Sequence, residues 1–346
     1  MKATEKARVL LNKQRDRAKT QTSRNQLGQF ATPTALAMEI IAYAKKLLPS
    51  DISIRFLDPA FGTGSFYSAL LQQFPVSQIT EAVGYEIDTH YGNSARKFWE
   101  NTPLQLNIAD FTQATPPNSD KTKANLLICN PPYVRHHHLT RVQKLRLQRV
   151  TEQIAGIKLS GLAGLYCHFL CISDAWVAQN GLAGWLVPSG FMDVNYGQAI
   201  KDYLVNRVTL LRVHRFAPHD VQFEDALVSN AVVWFRKAMP PADRAVEFTY
   251  GGSLTAPHVR ELIPVEMLRH TLKWTRFGRV SFSVNSSEKK LQLKDSAFDK
   301  LAAPGGKNSN EQLTLKDLFT IKRGLATGAN HFFVLTLEQV SIAFLK

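Results

Sequence analysis

The stretch SIRFLDPAFGTGSF, residues 53–66, decides the fold of this chain. An apolar strand pattern at residues 53–57 runs into a loop, residues 58–65, that contains two glycines, and a helical pattern follows from Phe66. In parallel α/β sheets such a turn lies at the carboxyl end of a strand, where the backbone approaches a bound cofactor closely. At this point an ordinary tight turn between a strand and a helix remains the alternative.

Strand and helix patterns alternate outward from this stretch. Strands are predicted at residues 80–85, 104–108, 124–129, 182–187, 209–215 and 231–235, and helices at residues 34–48, 66–73, 89–99, 165–178 and 197–205. This alternation predicts an α/β fold with a doubly wound, mostly parallel sheet. Residues 216–230 are too few and too polar for a crossover helix, so the last strand is predicted to be antiparallel.

The composition is that of a folded globular protein. The 346 residues are 45% hydrophobic and 20% charged, which excludes a disordered chain. No apolar run approaches the roughly 18–20 residues that cross a bilayer, so no membrane partner is predicted. Three cysteines, Cys129, Cys167 and Cys171, are too few for a disulfide scaffold and indicate a reducing cytoplasm.

The net charge of +14 is concentrated at the two ends of the chain. Residues 1–27 hold eight lysines and arginines but two acids, and are predicted to form a basic N-terminal arm. We predict that residues 28–237 form the main domain, residues 238–311 a Pro- and Gly-rich connector with weak strands, and residues 312–346 the beginning of an incomplete second domain. Clustered lysines and arginines favour a nucleic-acid partner, although a basic chain also gains solubility alone.

Glu86 strengthens the cofactor hypothesis. It follows the second predicted strand, 22 residues beyond Gly64, a spacing that suits hydrogen bonds from an acid to ribose hydroxyls. The loop lacks the GxGxxG spacing and the Lys-Ser/Thr pair of a P-loop, which disfavours dinucleotides and nucleoside triphosphates. The pattern predicts a nucleoside-type cofactor without phosphates.

The tetrapeptide Asn130-Pro131-Pro132-Tyr133 directly follows the apolar strand that ends at Cys129. Two prolines keep the backbone extended and remove two N–H donors, which leaves carbonyls free to accept from a ligand. The Asn130 side-chain oxygen is a second acceptor, so both hydrogens of a planar NH2 group can be held. Tyr133 offers a flat face for the ring that carries this amine. A plain turn after a strand is the alternative.

A basic segment follows the tetrapeptide, and its five cations are predicted to contact the phosphates of a nucleic acid: Arg135, Arg141, Lys144, Arg146 and Arg149. A solvated helix face is the alternative. The run His136–His138 lies in this segment, but adjacent side chains diverge and no carboxylate or cysteine pattern accompanies them, so no metal is predicted. Cys129, Cys167 and Cys171 are predicted to be core residues.

These motifs resemble a known family. The sequence GQFATP at residues 28–33, the loop at residues 58–64, Glu86, Asp110-Phe111 and Asn130-Pro-Pro-Tyr133 occur in the order found in the N6-adenine DNA methyltransferases of restriction-modification systems, in the TaqI-like γ group of the NPPY type. The resemblance covers about residues 22–237 and resumes at 313–337. It implies the class I S-adenosylmethionine-dependent methyltransferase fold, followed by the beginning of a target recognition domain.

The resemblance also implies a role for each matching residue. Thr32 and the loop would surround the methionine part of S-adenosylmethionine, Glu86 would bind its ribose, Asp110 its adenine amine, and Phe111 would pack on that ring. The cofactor-binding set is Thr32, Pro33, Asp58, Pro59, Ala60, Phe61, Gly62, Gly64, Glu86, Ile87, Asp110, Phe111 and Asn130. The catalytic set is Asn130, Pro131, Pro132, Tyr133 and Phe223, in which the two aromatic residues would clamp the target adenine.

The implied activity is methyl transfer to N6 of a flipped-out adenine in double-stranded DNA, as the modification part of a restriction-modification system. A separate specificity or restriction subunit is a further implied partner. The NPPY element also occurs in RNA and protein-glutamine methyltransferases, so these substrates are alternatives, but GQFATP points to the DNA group. A non-catalytic DNA-binding subunit is an alternative of another class.

Overall fold

A computed structural model describes residues 2–217, 220 and 229–278 of the chain. All of them belong to a unit that spans Met1–Phe282, whereas a second unit, Ser283–Lys346, lies outside the described residues. Phe223 and the predicted beginning of a recognition domain, residues 312–346, therefore lie outside the description as well.

Nine strands form one sheet in the described part of the chain. They are β1 (Ile54–Asp58), β2 (Ile79–Tyr85), β3 (Leu104–Asn107), β4 (Ala124–Cys129), β5 (Val177–Pro188), β6 (Thr209–Arg215), β7 (Asn230–Arg236), β8 (Ala245–Gly252) and β9 (Pro257–Pro264). Their spatial order is β3-β2-β1-β4-β5-β7-β6-β8-β9. The first five are parallel, and β7 runs antiparallel between β5 and β6. The predicted fold class, including the antiparallel strand, is confirmed.

Strand β1 lies inside the sheet because its residues are apolar on both faces. Phe56 packs into the core on one face, and Leu57 packs into the core on the other, as expected for a strand of a parallel sheet covered on both sides. The strand order reverses between β1 and β4. At such a switch point the loops diverge and open a crevice at the carboxyl ends of the strands. Both the glycine-bearing loop and the NPPY tetrapeptide begin there.

Nine α-helices flank the sheet in the same residues. They are α1 (Lys2–Arg17), α2 (Gln21–Gln26), α3 (Thr34–Leu47), α4 (Ser65–Gln73), α5 (Thr89–Phe98), α6 (Arg141–Ala155), α7 (Leu165–Ile172), α8 (Gln198–Asn206) and α9 (Val265–His270). Ile40 of α3 and Leu70 of α4 are fully buried on one face of the sheet. Leu147 of α6 and Leu204 of α8 are buried on the other. None of the described helices combines the length and the apolar character of a membrane span.

The described part of the predicted connector differs from a linker. Strand β8 pairs in parallel with β6, and β9 pairs with β8, so residues 245–264 extend the sheet. Val246 and Phe248 alternate into the core, and Trp274 beyond β9 is completely buried. Of the prolines and glycines that suggested a connector, Pro240 and Pro241 precede β8, and Gly251 and Gly252 are its last two residues. The sheet domain thus continues past residue 237, at least to residue 278.

Candidate cofactor and target-base site

A cavity of about 470 Å³ opens at the carboxyl ends of β1, β2 and β4, a size typical of sites for small ligands. Most of the predicted cofactor-binding residues line it: Thr32, Asp58, Pro59, Ala60, Phe61, Gly62, Glu86, Ile87, Asp110, Phe111 and Asn130. Pro132 of the predicted catalytic set lines it too. Pro33, Gly64, Pro131 and Tyr133 are not among its lining residues.

The loop after β1 takes its shape from two glycines in left-handed conformations. Gly62 has φ 57° and Gly64 has φ 89°, values that side chains other than glycine rarely adopt. A Cβ on Gly64 would also crowd the indole nitrogen of Trp99 at 2.7 Å. That indole donates a hydrogen bond of 3.1 Å to the carbonyl of Thr63. Gly64 therefore allows the loop to pack against Trp99, while Gly62 lines the cavity.

Glu86 joins the loop after β1 to the start of α5. Its Oε2 accepts from the backbone N–H of Gly62 at 2.8 Å, and its Oε1 accepts from the N–H of Asp88 at 2.8 Å. Burial raises the pKa of this carboxyl above its ordinary value, although the two N–H donors oppose the change. Because each carboxylate oxygen has a second lone pair, Glu86 can also accept from ligand hydroxyls.

Asp58 is the most deeply buried carboxyl of the cavity. Only 1% of it is exposed, and its one hydrogen bond to backbone comes from the N–H of Ala60 at 3.1 Å. Burial raises the pKa of Asp58 to about 8, and nearby Glu86 contributes in the same direction. A buried acid of this kind accepts a cationic ligand because the ligand supplies the missing counter-charge.

Asp110 and Phe111 follow β3, as predicted. Phe111 is buried in an aromatic cluster, with ring centroids 5.4 Å from Tyr85 and 5.1 Å from Trp176. Asp110 Oδ1 accepts from the N–H and the hydroxyl of Thr112 at 2.9 and 2.7 Å. Both residues are thus held rigidly at one end of the cavity.

The Asn130 side chain is anchored through its nitrogen. Nδ2 donates to the Phe30 carbonyl at 2.9 Å and to Thr32 Oγ1 at 3.1 Å. Because a carbonyl only accepts, the nitrogen must face Phe30, and this fixes the orientation of the amide. Its Oδ1 is buried and has no hydrogen-bond partner in the described structure. A buried acceptor without a partner is costly, so this atom marks a place where a donor is expected.

Gly28 brings the GQFATP segment against the NPPY tetrapeptide. The N–H of Tyr133 donates to the Gly28 carbonyl at 3.1 Å. Gly28 has φ 62°, and a Cβ there would overlap with the backbone nitrogen of Tyr133. The contact therefore requires glycine, and it sets the position of Thr32 relative to Asn130.

Tyr133 lies beside the cavity with its ring in the core. It is 8% exposed, its hydroxyl donates to the Leu186 carbonyl at 3.2 Å, and its ring centroid is 5.6 Å from that of Phe30. Phe30 itself lines the cavity. Of the two aromatic residues predicted to clamp a base, the structure therefore describes one, and it is anchored to β5.

The predicted basic segment forms a short 3₁₀ turn, His136–His138, and helix α6. Arg135, Arg141 and Arg149 are exposed and Lys144 is partly exposed, as a phosphate contact requires. Arg146 differs, because it turns inward and lines the cavity with His138. In the described ranges no cluster of histidine, cysteine and acidic side chains could hold a metal ion. All three cysteines are buried.

The predicted N-terminal arm folds as helices α1 and α2. Asn12 and Asp16 of α1 line the cavity, next to Thr63 and Tyr91. These residues were not among the sequence-based candidates. A signal was present nonetheless, since Glu5, Arg8, Asn12 and Asp16 recur at spacings of three or four and so share one helix face.

The sheet order and the position of the cavity define the class I S-adenosylmethionine-dependent methyltransferase fold. A crystal structure of a type I restriction-modification methyltransferase subunit from Streptococcus thermophilus aligns with a TM-score of 0.54 at 19% identity, over 64% of this chain and 47% of that one. A putative class I S-adenosylmethionine-dependent methyltransferase from Listeria monocytogenes aligns with a TM-score of 0.53 at 15% identity, over 72% of this chain and 73% of that one.

Sequence comparison agrees with the family resemblance. Residues 64–222 match the Eco57I restriction-modification methylase family. The type II methyltransferase M.AccI of Acinetobacter calcoaceticus is 27% identical over 91% of this chain and 54% of its own length. M.XamI of Xanthomonas campestris pv. amaranthicola is 25% identical over 89% and 53%. The chain thus spans about half the length of these relatives. The resemblance to restriction-modification methyltransferases is confirmed, while the TaqI-like subgroup stays a prediction.

Proposed function

We propose that this chain transfers a methyl group from S-adenosylmethionine to N6 of an adenine that is flipped out of double-stranded DNA, as the modification part of a restriction-modification system. The two type II methyltransferase relatives support the reaction class. The NPPY tetrapeptide beside the cavity supports an exocyclic amine as the methyl acceptor.

The unpartnered Oδ1 of Asn130 carries this proposal. It is a buried acceptor in the side chain of a residue that lines the cavity, and its orientation is fixed because Nδ2 is held by Phe30 and Thr32. An exocyclic amine supplies the missing donor. The Pro131 carbonyl is proposed as the second acceptor, so that both hydrogens of the amine are held and its lone pair is free to attack.

The cavity suits the proposed cofactor. S-Adenosylmethionine supplies an electrophilic methyl group on a positively charged sulfur. The lining contains several carboxyl groups, among them Asp58, Glu86 and Asp110, and the buried Asp58 favours a cationic ligand. The loop after β1 has no P-loop lysine, in accord with a cofactor that lacks phosphates.

In the proposed reaction the chain aligns the amine nitrogen with the methyl carbon and the sulfur. The bond from N6 to the methyl carbon forms as the carbon–sulfur bond breaks, which leaves S-adenosylhomocysteine. N6 then loses one proton to water. Asn130 and Pro131 stabilise the positive charge that develops on the nitrogen. Tyr133 and Phe223 are proposed to repay the unstacking of the base by packing on its ring.

The DNA backbone is proposed to bind along the exposed cations Arg135, Arg141 and Arg149 and the partly exposed Lys144. Arg146 is left out of this set because its guanidinium is engaged at the cavity. A separate specificity or restriction subunit remains a proposed partner.

The proposal is tested by incubating the purified protein with labelled S-adenosylmethionine and, separately, unmethylated DNA, RNA and protein. Label in DNA as N6-methyladenine is the expected result. Asn130→Ala should lower transfer by at least about 100-fold, while S-adenosylhomocysteine still binds. The control Asn101→Ala, at an exposed position, should leave transfer unchanged. Label in RNA or in glutamine but not in DNA would contradict the proposed substrate.

A further inference from the structure

The inward face of α1 is polar. Glu5 and Arg8 are 8% and 2% exposed, and the Arg8 guanidinium binds both carboxylate oxygens of Glu5 at 2.9 and 2.6 Å. Asn12 and Asp16 continue this face toward the C-terminal end of the helix, and Asn12 Nδ2 donates to Asp16 Oδ2 at 2.7 Å. Burying charged groups is costly unless they are paired, so this face of α1 is expected to pack against polar groups of the protein.

The loop after β1 and the helix that follows it provide that surface. Arg8 donates to Thr63 Oγ1 at 3.1 Å, and Thr63 Oγ1 donates to Asn12 Oδ1 at 3.0 Å. The Ser68 hydroxyl donates to Glu5. Thr63 lies between the two left-handed glycines of the cofactor loop, so α1 is attached directly to the element that is proposed to bind the cofactor.

The C-terminal half of α1 contacts the beginning of α5, which follows Glu86. Tyr91 donates from its hydroxyl to Asp16 Oδ1 at 2.7 Å, and Lys19, two residues beyond the end of α1, forms an ion pair with Asp88. Asp88 and Tyr91 lie just beyond Glu86, the residue predicted to bind a ribose. The Asp16 carboxylate is thus held at the side of the cavity where the ribose would lie.

Asp16 keeps acceptor capacity after these contacts. Each of its two oxygens receives one described hydrogen bond, from Tyr91 and from Asn12, whereas a carboxylate has about four acceptor sites. Asp16 lines the cavity, so the remaining lone pairs are available to a ligand. Hydroxyl groups are natural donors to such an acceptor.

We propose that helix α1 completes the cofactor site, and that Asp16, oriented by Asn12 and Tyr91, accepts a hydrogen bond from a ribose hydroxyl of the cofactor. This inference rests on the proposed function, because it takes S-adenosylmethionine as the ligand. It gives the ribose a second carboxylate in addition to Glu86, and it assigns part of the predicted basic arm to the cofactor instead of DNA.

The test measures the binding of S-adenosylhomocysteine and of its 2′-deoxy and 3′-deoxy analogues by calorimetry. In the unaltered protein at least one deoxy analogue should bind about tenfold more weakly than the parent compound. Asp16→Asn should weaken the parent compound by about tenfold and leave that analogue nearly unchanged, so the discrimination disappears. Tyr91→Phe should act in the same direction more weakly, since it removes only the hydroxyl that orients Asp16.

Lys13→Ala is the matched control, because Lys13 lies on α1 but is exposed. It should leave all three affinities unchanged. If the unaltered protein binds the parent compound but Asp16→Asn keeps the full discrimination, the ribose contact is wrong and the proposed function stands. If the unaltered protein does not bind S-adenosylhomocysteine at all, both the proposed cofactor and this inference are overturned.

Discussion

The guanidinium of Arg146 lies 3.3 Å from the carboxylate of Asp110, and so ties helix α6 to the loop after β3. The same group donates to Thr112 Oγ1 at 2.9 Å and to the Thr112 carbonyl at 3.1 Å. A residue predicted to contact DNA thus supports the loop that is proposed to recognise the cofactor's adenine. Its neighbour Arg149, one turn further along α6, is exposed.

Replacing these two arginines should therefore have separate effects. Arg146→Gln should weaken binding of S-adenosylhomocysteine by about fivefold, a modest loss because the ion pair is partly exposed. Arg149→Gln should leave that affinity unchanged and lower the salt dependence of DNA binding by roughly one counterion. Calorimetry without DNA and a salt titration with DNA measure the two effects. If both variants weaken DNA binding to the same extent and neither changes the affinity for S-adenosylhomocysteine, the prediction that Arg146 contacts DNA phosphates stands.

The sequence could predict the centre of the site because the residues involved follow strand ends. Asp58 is the last residue of β1, and Glu86 and Asn130 directly follow β2 and β4. The carboxyl ends of parallel strands meet at one edge of the sheet, so strand assignment alone brings these residues together.

The features of the site and the fold that the sequence did not predict depend on tertiary contacts that local patterns do not encode. Five cations on and before α6 look alike in sequence, and only the packing of α6 against the loop after β3 turns Arg146 inward. Asp16 lies on a polar helix face, which local rules assign to solvent. The pattern predicts a connector at strand β8 because prolines and glycines are typical both of linkers and of the ends of strands within a sheet.

Binding of the cofactor should release protons. The pKa of Asp58 is raised to about 8 by burial, so at pH 7 most of the free protein carries a proton there. A cationic ligand lowers this pKa and expels the proton, so about one proton is released on binding. Affinity should increase by up to about tenfold from pH 6 to pH 7, because the ligand binds the deprotonated form.

Calorimetry in buffers of different ionisation enthalpy measures this release. Asp58→Asn cannot release the proton, and its residual affinity should vary much less over the same pH interval. Equal proton release by the unaltered protein and by Asp58→Asn would show that another group, such as Glu86, titrates instead.

The same carboxyl should make stability depend on pH in the absence of ligand. A folded-state pKa near 8, against about 3.9 in the unfolded chain, means that the protonated form is favoured by folding. The contribution of Asp58 to stability is therefore complete below about pH 4 and is lost as the pH rises to about 8.

Asp58→Asn avoids this loss. Relative to the unaltered protein, its free energy of unfolding should increase by a few kcal/mol between pH 4 and pH 8. Denaturant titrations at both pH values measure the difference, and a constant difference would refute a raised pKa.

Replacement of Gly28 should cost more stability than replacement of Gly62 or Gly161. Gly28 has φ 62°, so alanine there has the cost of a left-handed conformation, and its Cβ would also overlap with the backbone of Tyr133. Together the two effects should lower the free energy of unfolding by about 3 kcal/mol. Gly62→Ala has the same kind of φ, but no atom lies within 4 Å of its Cβ, and it should cost about 1–2 kcal/mol. Gly161→Ala, with neither constraint, should change stability by less than about 0.5 kcal/mol. Denaturant unfolding ranks the three variants.

Gly28→Ala should also weaken S-adenosylhomocysteine binding, because the shifted GQFATP segment carries Thr32 away from Asn130. If Gly28→Ala unfolds no more easily than Gly62→Ala, the close contact between the GQFATP and NPPY segments does not exist as described.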